Sequence, residues 1–304
     1  MPSEPLLPIR EIARLTGVNP VTLRAWERRY GLVVPQRTSK GHRLYSQEQV
    51  QRIQTILSWL NRGVAVSQVL PLLEHEQAAQ QPTPGDDWQA QRAMLTDCIA
   101  HLAERRLDQQ FNQAMALYPA FTLCEHLLLP LLDHLETRWQ VHPCANVEQA
   151  FFHSWLRSKL GLRVYHNNRQ SNGAPVLLIS ADTYPVDPAL WLCAWLVSDA
   201  GYPVEVFDLP LQGRDLALAI ERLHARALLL SINSAADSER LHRSLTLIEV
   251  PKLLFGAAVT LHRQAARPDA EWYLLDSPLA ALRCLKGLGA LAPNTSVPGN
   301  PACN

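Results

Sequence analysis

The chain is short of most features that would mark an enzyme, a metal sensor or a secreted protein. Its six cysteines, Cys98, Cys124, Cys144, Cys193, Cys284 and Cys303, stand far apart, and no Cys-x-x-Cys occurs. That excludes a zinc ribbon, a redox pair and a disulfide framework, and it fits free thiols in a reducing cytoplasm. No apolar run approaches the ~20 residues of a membrane span. The opening MPSEPLLPIREIA lacks the basic-then-apolar pattern of a signal peptide. No Ser/His/Asp, Cys/His or Gly-rich phosphate-loop constellation is present, so no catalytic residue and no metal ligand set is expected. Internal repeats are missing, and so is net charge: 28 Lys and Arg balance 28 Asp and Glu.

The balance hides an asymmetry. Residues 9–63 carry ten Lys and Arg against three acids, a net of +7, so the remaining residues carry −7. A basic module joined to an acidic remainder is the footprint of phosphate binding through counterion release.

The basic module has helix-turn-helix punctuation. Ile9, Ile12, Ala13 and Leu15 give one short helix an apolar face, and Thr16-Gly17-Val18 forms a turn. Asn19 is placed to cap a second helix, with Pro20 at its first position, where the missing N–H costs nothing. That helix presents Thr22, Arg24, Trp26, Arg28, Arg29 and Tyr30, and such a helix lies in a DNA major groove. Thr22 and Arg24, in its first turns, are expected at base edges or flanking phosphates. Trp26 is either a DNA contact or a packing residue between helix and wing. Arg37, Lys40, His42, Arg43 and Tyr45 read as a wing, with a turn at Ser39-Lys40-Gly41 and Arg43 and Tyr45 on one strand face. Ser46 and Gln49 form a capping box for the next helix. Val50, Ile53, Ile56, Leu57 and Leu60 supply its core side, and residues 67–75 make a further short helix.

Thr22-Leu23-Arg24-Ala25-Trp26-Glu27-Arg28-Arg29-Tyr30-Gly31-Leu32, followed by Arg37 and Gly41-His42-Arg43-Leu44-Tyr45, resembles the MerR family of bacterial transcription regulators. The wording is similar to the MlrA-like branch, whose relatives are the light- and cobalamin-linked CarA, CarH and LitR regulators. The resemblance implies a dimer on a near-palindromic site in a long promoter spacer, distorting double-stranded DNA so that RNA polymerase engages it. It also implies that Arg43 and Tyr45 grip the phosphate backbone. Several members sense metals through clustered cysteines, a spacing missing here.

Length allows about two domains, and the reading is multidomain. A winged helix-turn-helix, helical with a small β wing, spans residues 5–76, and a polar Pro/Gly linker spans 77–87. A four-helix bundle covers 88–167, with Met94, Leu95, Cys98, Ile99 and Leu102 lining its first helix and Pro130 kinking its third. Residues 174–290 alternate strands and helices as an α/β, flavodoxin-like, five-stranded parallel sheet. Residues 291–304 are expected to be a disordered tail. Because Pro82, Pro84 and Gly85 interrupt the place of a long dimerising helix, dimer contacts are expected from the bundle or the sheet.

A bundle followed by such a sheet is similar in order and length to the cobalamin-binding module of CarH-type regulators and methionine synthase. That resemblance implies Asp-x-His-x-x-Gly after the first strand, a Gly-Gly pair after the fourth, and Trp, nine residues, then Glu-His in the bundle. The chain has Asp182, Tyr184 and Asp187 in the first, Gly256-Ala257 in the second, and Trp139 with Gln149-Ala150 in the third. An imidazole ligand for cobalt is therefore missing at Tyr184, and Asp187 crowds the path of the nucleotide tail. The expectation is a degenerate rim (Asp182, Tyr184, Asp187, Ser231, Gly256, with Trp139 and Gln149) that holds no cobalamin and serves a signalling protein or another small molecule.

Two functional classes emerge. One is a sequence-specific DNA-binding regulator in the cytoplasm, at the nucleoid, without enzyme activity. The resemblance to the MlrA-like branch implies an activator of matrix or biofilm genes, tuned by proteins of cyclic-di-GMP signalling. Its alternative within the class is a cobalamin-dependent repressor of the CarH type. The other class is a cobalamin-dependent enzyme subunit, against which the missing cobalt ligand speaks. Asp182 and Asp187 are the candidate carboxylate pair, but Pro185 separates them in a loop.

Overall fold

The computed structural model describes residues 6–74, 86–141, 145–182, 187–234, 238–260 and 272–288. The chain divides into two compact units, residues 1–152 and 153–304. Tyr184 and the 291–304 tail lie outside the described residues, as does all but the last part of the 77–87 linker.

In the first unit, α1 (Ile9–Thr16) ends where Gly17 takes a left-handed conformation (φ 71°) and its N–H reaches the Ala13 carbonyl at 2.9 Å. Asn19 then caps α2 (Pro20–Ala25), accepting from the Val21 N–H at 2.8 Å. The helix does not stop at Ala25: it continues as a π-helical stretch over Trp26–Tyr30 and is closed by Gly31 at φ 62°. A π turn takes one more residue per turn and so rotates the side chains beyond it about the helix axis. Local periodicity gives no hint of it.

The wing is a three-stranded antiparallel sheet in which β3 (Arg43–Tyr45) lies between β1 (Leu7–Pro8) and β2 (Gln36–Arg37). The β1 strand is an addition to the sequence reading. At the wing tip the Gly41 N–H donates to the Thr38 carbonyl at 2.8 Å, with Gly41 at φ 80°. Helix α3 (Gln47–Asn61) is capped by Ser46 and buries Val50, Ile53, Ile56 and Leu60; α4 (Val66–Glu74) comes next.

The bundle begins with α5 (Asp86–Ala100), which starts inside the expected linker, and α6 (Glu104–Leu117). Its third member is built from α7 (Ala120–Leu123), a π-helical stretch (Cys124–Leu128) and α8 (Leu129–Trp139). Pro130, at the start of α8, has no N–H to give to the turn before it, and the π stretch directly precedes it. Leu95, Cys98, Ile99, Leu107, Phe111, Leu123, Leu127, Leu131 and Leu135 are buried as core. Met94 (45% exposed) and Leu102 (43%) are not, contrary to the sequence reading. Leu102 sits in the turn after α5 at φ 51°. The fourth helix, α9 (Ala145–Asn168), is shared between the two units.

The second unit is a five-stranded parallel sheet. Its strands are β4 (Val176–Ser180), β5 (Val204–Phe207), β6 (Ala227–Ser231), β7 (Lys252–Phe255) and β8 (Trp272–Leu275), in the order β5-β4-β6-β7-β8. Helices α10 (Pro188–Asp199) and α13 (Pro278–Gly287) pair against one face, and α11 (Gly213–Leu223) packs with α12 (Ser238–Leu245). Strands β4, β6 and β7 are buried along their whole length, which is why they read as unbroken apolar runs. The strand order reverses between β4 and β6, so the crevice at their carboxyl ends is the topological switch point.

Candidate nucleic-acid interface and the sheet rim

The recognition helix, α2 with its π continuation, carries its charges outward. Arg24, Arg28 and Arg29 are exposed, as are Arg37, Lys40 and His42 on the wing; Tyr30 and Arg43 are half-buried. These residues form one basic face from helix to wing tip. Three expected members of it are buried. Thr22 is 2% exposed, and Trp26 and Tyr45 are wholly enclosed. Thr22 sits between the core residues of the helix. Trp26 gives its indole N–H to the Leu117 carbonyl at 2.8 Å, in the bundle. Tyr45 points into the module with its hydroxyl unpaired. None of the three exposes a side chain to DNA, and Trp26 is a packing residue whose indole N–H lies on the bundle.

Sequence reasoning passes over Glu27. Its carboxylate accepts from Arg37 Nη2 at 2.7 Å and from Arg43 Nε at 2.5 Å, joining the helix to β2 and β3, two of the three wing strands. Partial burial acts to raise its pKa, but the hydrogen bonds from Arg43 and Arg37 outweigh it and hold the carboxyl below its ordinary value. The Arg43 guanidinium is raised, first by its bond to Glu27. Arg43 binds Glu27 through its Nε, which leaves its two terminal nitrogens as a fork for other acceptors. The signal in the sequence is a lone acid among four nearby arginines. Of the other basic residues, Arg52 is tied to the Leu32 carbonyl at 2.6 Å and Arg62 lies over the Trp59 ring.

At the sheet rim the structure brings Asp182, Asp187, Ser231 and Gly256 together around Asn233. The Asn233 backbone N–H donates to Asp182 at 2.6 Å, and its side-chain amide donates to Asp187 at 2.8 Å and Ser231 at 3.3 Å. Its amide oxygen accepts from the Ala257 N–H at 3.2 Å. Asp182 also takes the Ser234 N–H at 3.1 Å and the Ser234 hydroxyl. Asp187 caps α10, accepting from Ala189 and Leu190 at 2.9 and 3.1 Å. Its pKa is raised by burial, against the pull of those hydrogen bonds. The two carboxylates thus share an asparagine rather than a proton. Gly256 stands at φ 124°, where a Cβ would meet the Ile232 carbonyl oxygen at 2.4 Å.

Trp139 and Gln149 belong to the first unit. Trp139 donates to Glu148, the residue before Gln149, at 3.2 Å, and Arg138 holds the same buried carboxylate at 3.0 and 3.1 Å. Nothing in the sequence pattern singles out Glu148. His126, beside Glu125, stacks on Trp88 and reaches the Asn61 carbonyl at 3.3 Å, a packing role.

A helix-turn-helix with a three-stranded wing and exposed basic residues on both defines a DNA-binding transcription regulator of the winged helix-turn-helix class. Residues 7–76 match the model of the MerR HTH family regulatory proteins. The chain belongs to the MerR family of transcription regulators. It is 33% identical over 201 residues to the HTH-type transcriptional regulator MlrA of Escherichia coli (strain K12), covering 66% of this chain and 79% of that protein. It is 31% identical over 137 residues to the HTH-type transcriptional repressor CarA of Myxococcus xanthus, covering 44% and 46%. Among solved structures, the methanol:cobalamin methyltransferase complex MtaBC of Methanosarcina barkeri aligns over 78% of this chain and 93% of its own, at a TM-score of 0.33 and 11% identity. A likeness that low carries no argument about cobalamin. Among the described residues, no helix is long and apolar enough to cross a membrane.

Proposed function

We propose that the protein is a promoter-binding transcription activator. It acts as a homodimer on a near-palindromic double-stranded site, in the cytoplasm at the nucleoid, and engages RNA polymerase there. Arg24, Arg28 and Arg29 enter or flank the major groove, and Arg37, Lys40, His42 and the Arg43 fork take the adjoining phosphates. The single observation that carries this reading is the set of exposed basic residues on recognition helix and wing, two elements tied together through Glu27. Matrix or biofilm genes are the proposed targets.

The second unit is proposed as a docking module for a signalling protein or small molecule, without cobalamin and without enzymatic activity. The residues present do not fit cobalamin. Asp187, where the tail would need a glycine, is a buried helix cap bonded to Asn233. Asp182 is already engaged by Asn233 and Ser234, across the crevice in which ligands of such sheets sit.

Genome-wide mapping of binding sites, with transcripts from a deletion strain, tests the reading. Enrichment at promoters whose transcripts fall in the deletion strain is the expected result. Transcripts that rise would make the protein a repressor, and an absence of enriched sites would overturn the DNA-binding reading itself.

A further inference from the structure

The DNA-binding module is held at several points by residues outside it. Trp26, on the recognition helix, donates to the Leu117 carbonyl at 2.8 Å. The next residue, Tyr118, accepts the Val66 N–H at 3.3 Å through its hydroxyl. Val66 opens α4, and a helix's first N–H groups have no partner within the helix. Tyr118 therefore caps α4 from the bundle. Trp88 of α5 packs against Tyr118, with ring centroids 4.6 Å apart and the planes tilted by 50°, and donates its indole N–H to the Gly63 carbonyl at 2.8 Å. Asn61, at the end of α3, accepts from the Thr122 hydroxyl at 3.2 Å. Two consecutive residues at the α6–α7 joint, Leu117 and Tyr118, thus hold the recognition helix and α4.

These groups are deeply enclosed: Trp26 is 0% exposed, Val66 2%, Trp88 3% and Tyr118 4%. Burial pushes the Tyr118 phenol up to about 12, so it stays a neutral hydroxyl at working pH. The basic face stays open, since Arg24, Arg28, Arg29, Lys40 and His42 are exposed. The bundle grips the buried side of the module and leaves the charged side free.

We propose that Tyr118 and Trp88 are positioning residues for DNA recognition. Through them the bundle fixes the spacing between the recognition helix and α4, and discrimination between DNA sequences depends on that spacing. The proposal rests on the reading of the basic face as the DNA surface. Base readout needs the helix placed to within an ångström or so, whereas phosphate attraction tolerates displacement. Loss of the grip therefore lowers selective binding more than general binding. By the same token, any event moving the α6–α7 joint displaces both elements together.

The test uses the full chain, a duplex selected from a random-sequence pool by the unmodified protein, and a random duplex of equal length. Tyr118→Phe removes one oxygen and leaves the buried Val66 N–H without its acceptor; Trp88→Phe removes the donor to Gly63. The ratio of affinities for selected and random duplex should fall about tenfold in each variant, the size expected for a lost buried hydrogen bond. Affinity for the random duplex should hold. Amide exchange at residues 64–70 should quicken while that of residues 107–114 does not. A variant that merely destabilised the protein would lower both affinities alike, leave the ratio unchanged and refute the proposal. If Trp88→Phe loses its helical signal, Tyr118→Phe decides alone. If the unmodified chain selects no duplex, the basic-face reading has failed, and unchanged exchange at residues 64–70 in Tyr118→Phe would then overturn the grip as well.

Discussion

Glu27 on the recognition helix and Arg43 on the wing are joined by an ion pair of 2.5 Å, with side chains 16% and 19% exposed. The same carboxylate reaches Arg37 at 2.7 Å. Through these two ion pairs the carboxylate ties the recognition helix to β2 and β3 of the wing. It sets the direction of the Arg43 fork as well as the stability of the wing.

Glu27→Ala should destabilise the first unit by about 1–2 kcal/mol, a charge-assisted hydrogen-bond value reduced for screening at a partly exposed site. Glu27→Gln should lose less, since the amide oxygen still accepts. The folded-state pKa of Glu27 is depressed, so its contribution is present above the ordinary carboxylate value of 4.5 and is lost as pH falls through the lower folded value. Thermal melts of the two variants at neutral and acidic pH check this: the gap between wild type and Glu27→Ala should close on acidification.

Gly256→Ala should destabilise the second unit by roughly 2–4 kcal/mol, the range of a steric clash at a special backbone conformation. The new Cβ would meet the Ile232 carbonyl oxygen at 2.4 Å and Asn233 Oδ1 at 2.8 Å, at φ 124°. Urea unfolding followed by circular dichroism measures the loss. A change below about 0.5 kcal/mol, the size of an ordinary surface substitution, would contradict the close approach described for this turn.

The purified protein should show no corrinoid absorption, and added adenosyl- or methylcobalamin should neither bind nor alter DNA affinity, in light or dark. Tyr184→His alone should not restore binding, because Asp187 remains a buried cap bonded to Asn233. Calorimetry giving a micromolar dissociation constant for the unmodified protein would make the rim a working cobalamin site.

The features legible in the sequence are local. Asn19 before Pro20 and Ser46 before Gln49 announce helix starts because a cap acts within three residues. Strands β4, β6 and β7 show as apolar runs because both of their faces are covered. Features that depend on partners distant in the chain are not legible. Trp26 lies in a polar, basic helix, where spacing leaves DNA contact and packing both open; it is buried, and its N–H partner, Leu117, stands 91 positions away. Thr22 and Tyr45 depart from expectation for a related reason: spacing gives a face, but not its cover. The π-helical stretch from Trp26 to Tyr30 shifts that face partway along the helix. Met94 fits a helical stripe but lies at its edge. The rim residues were expected at strand ends, but nothing local shows that Asn233 would gather Asp182, Asp187 and Ser231 into one network.

The claim that the basic face of recognition helix and wing binds DNA is tested most directly by titrating a selected duplex with the full chain at several salt concentrations. Fluorescence anisotropy suits this, with Arg24→Ala and Arg43→Ala alongside the unmodified protein. Both side chains project from that face, Arg24 exposed and Arg43 held by Glu27 with its fork free. The account predicts that each variant binds more weakly, and that a variant losing a phosphate contact shows a salt slope lower by about one. Affinity and slope unchanged from the unmodified protein in both variants would contradict it.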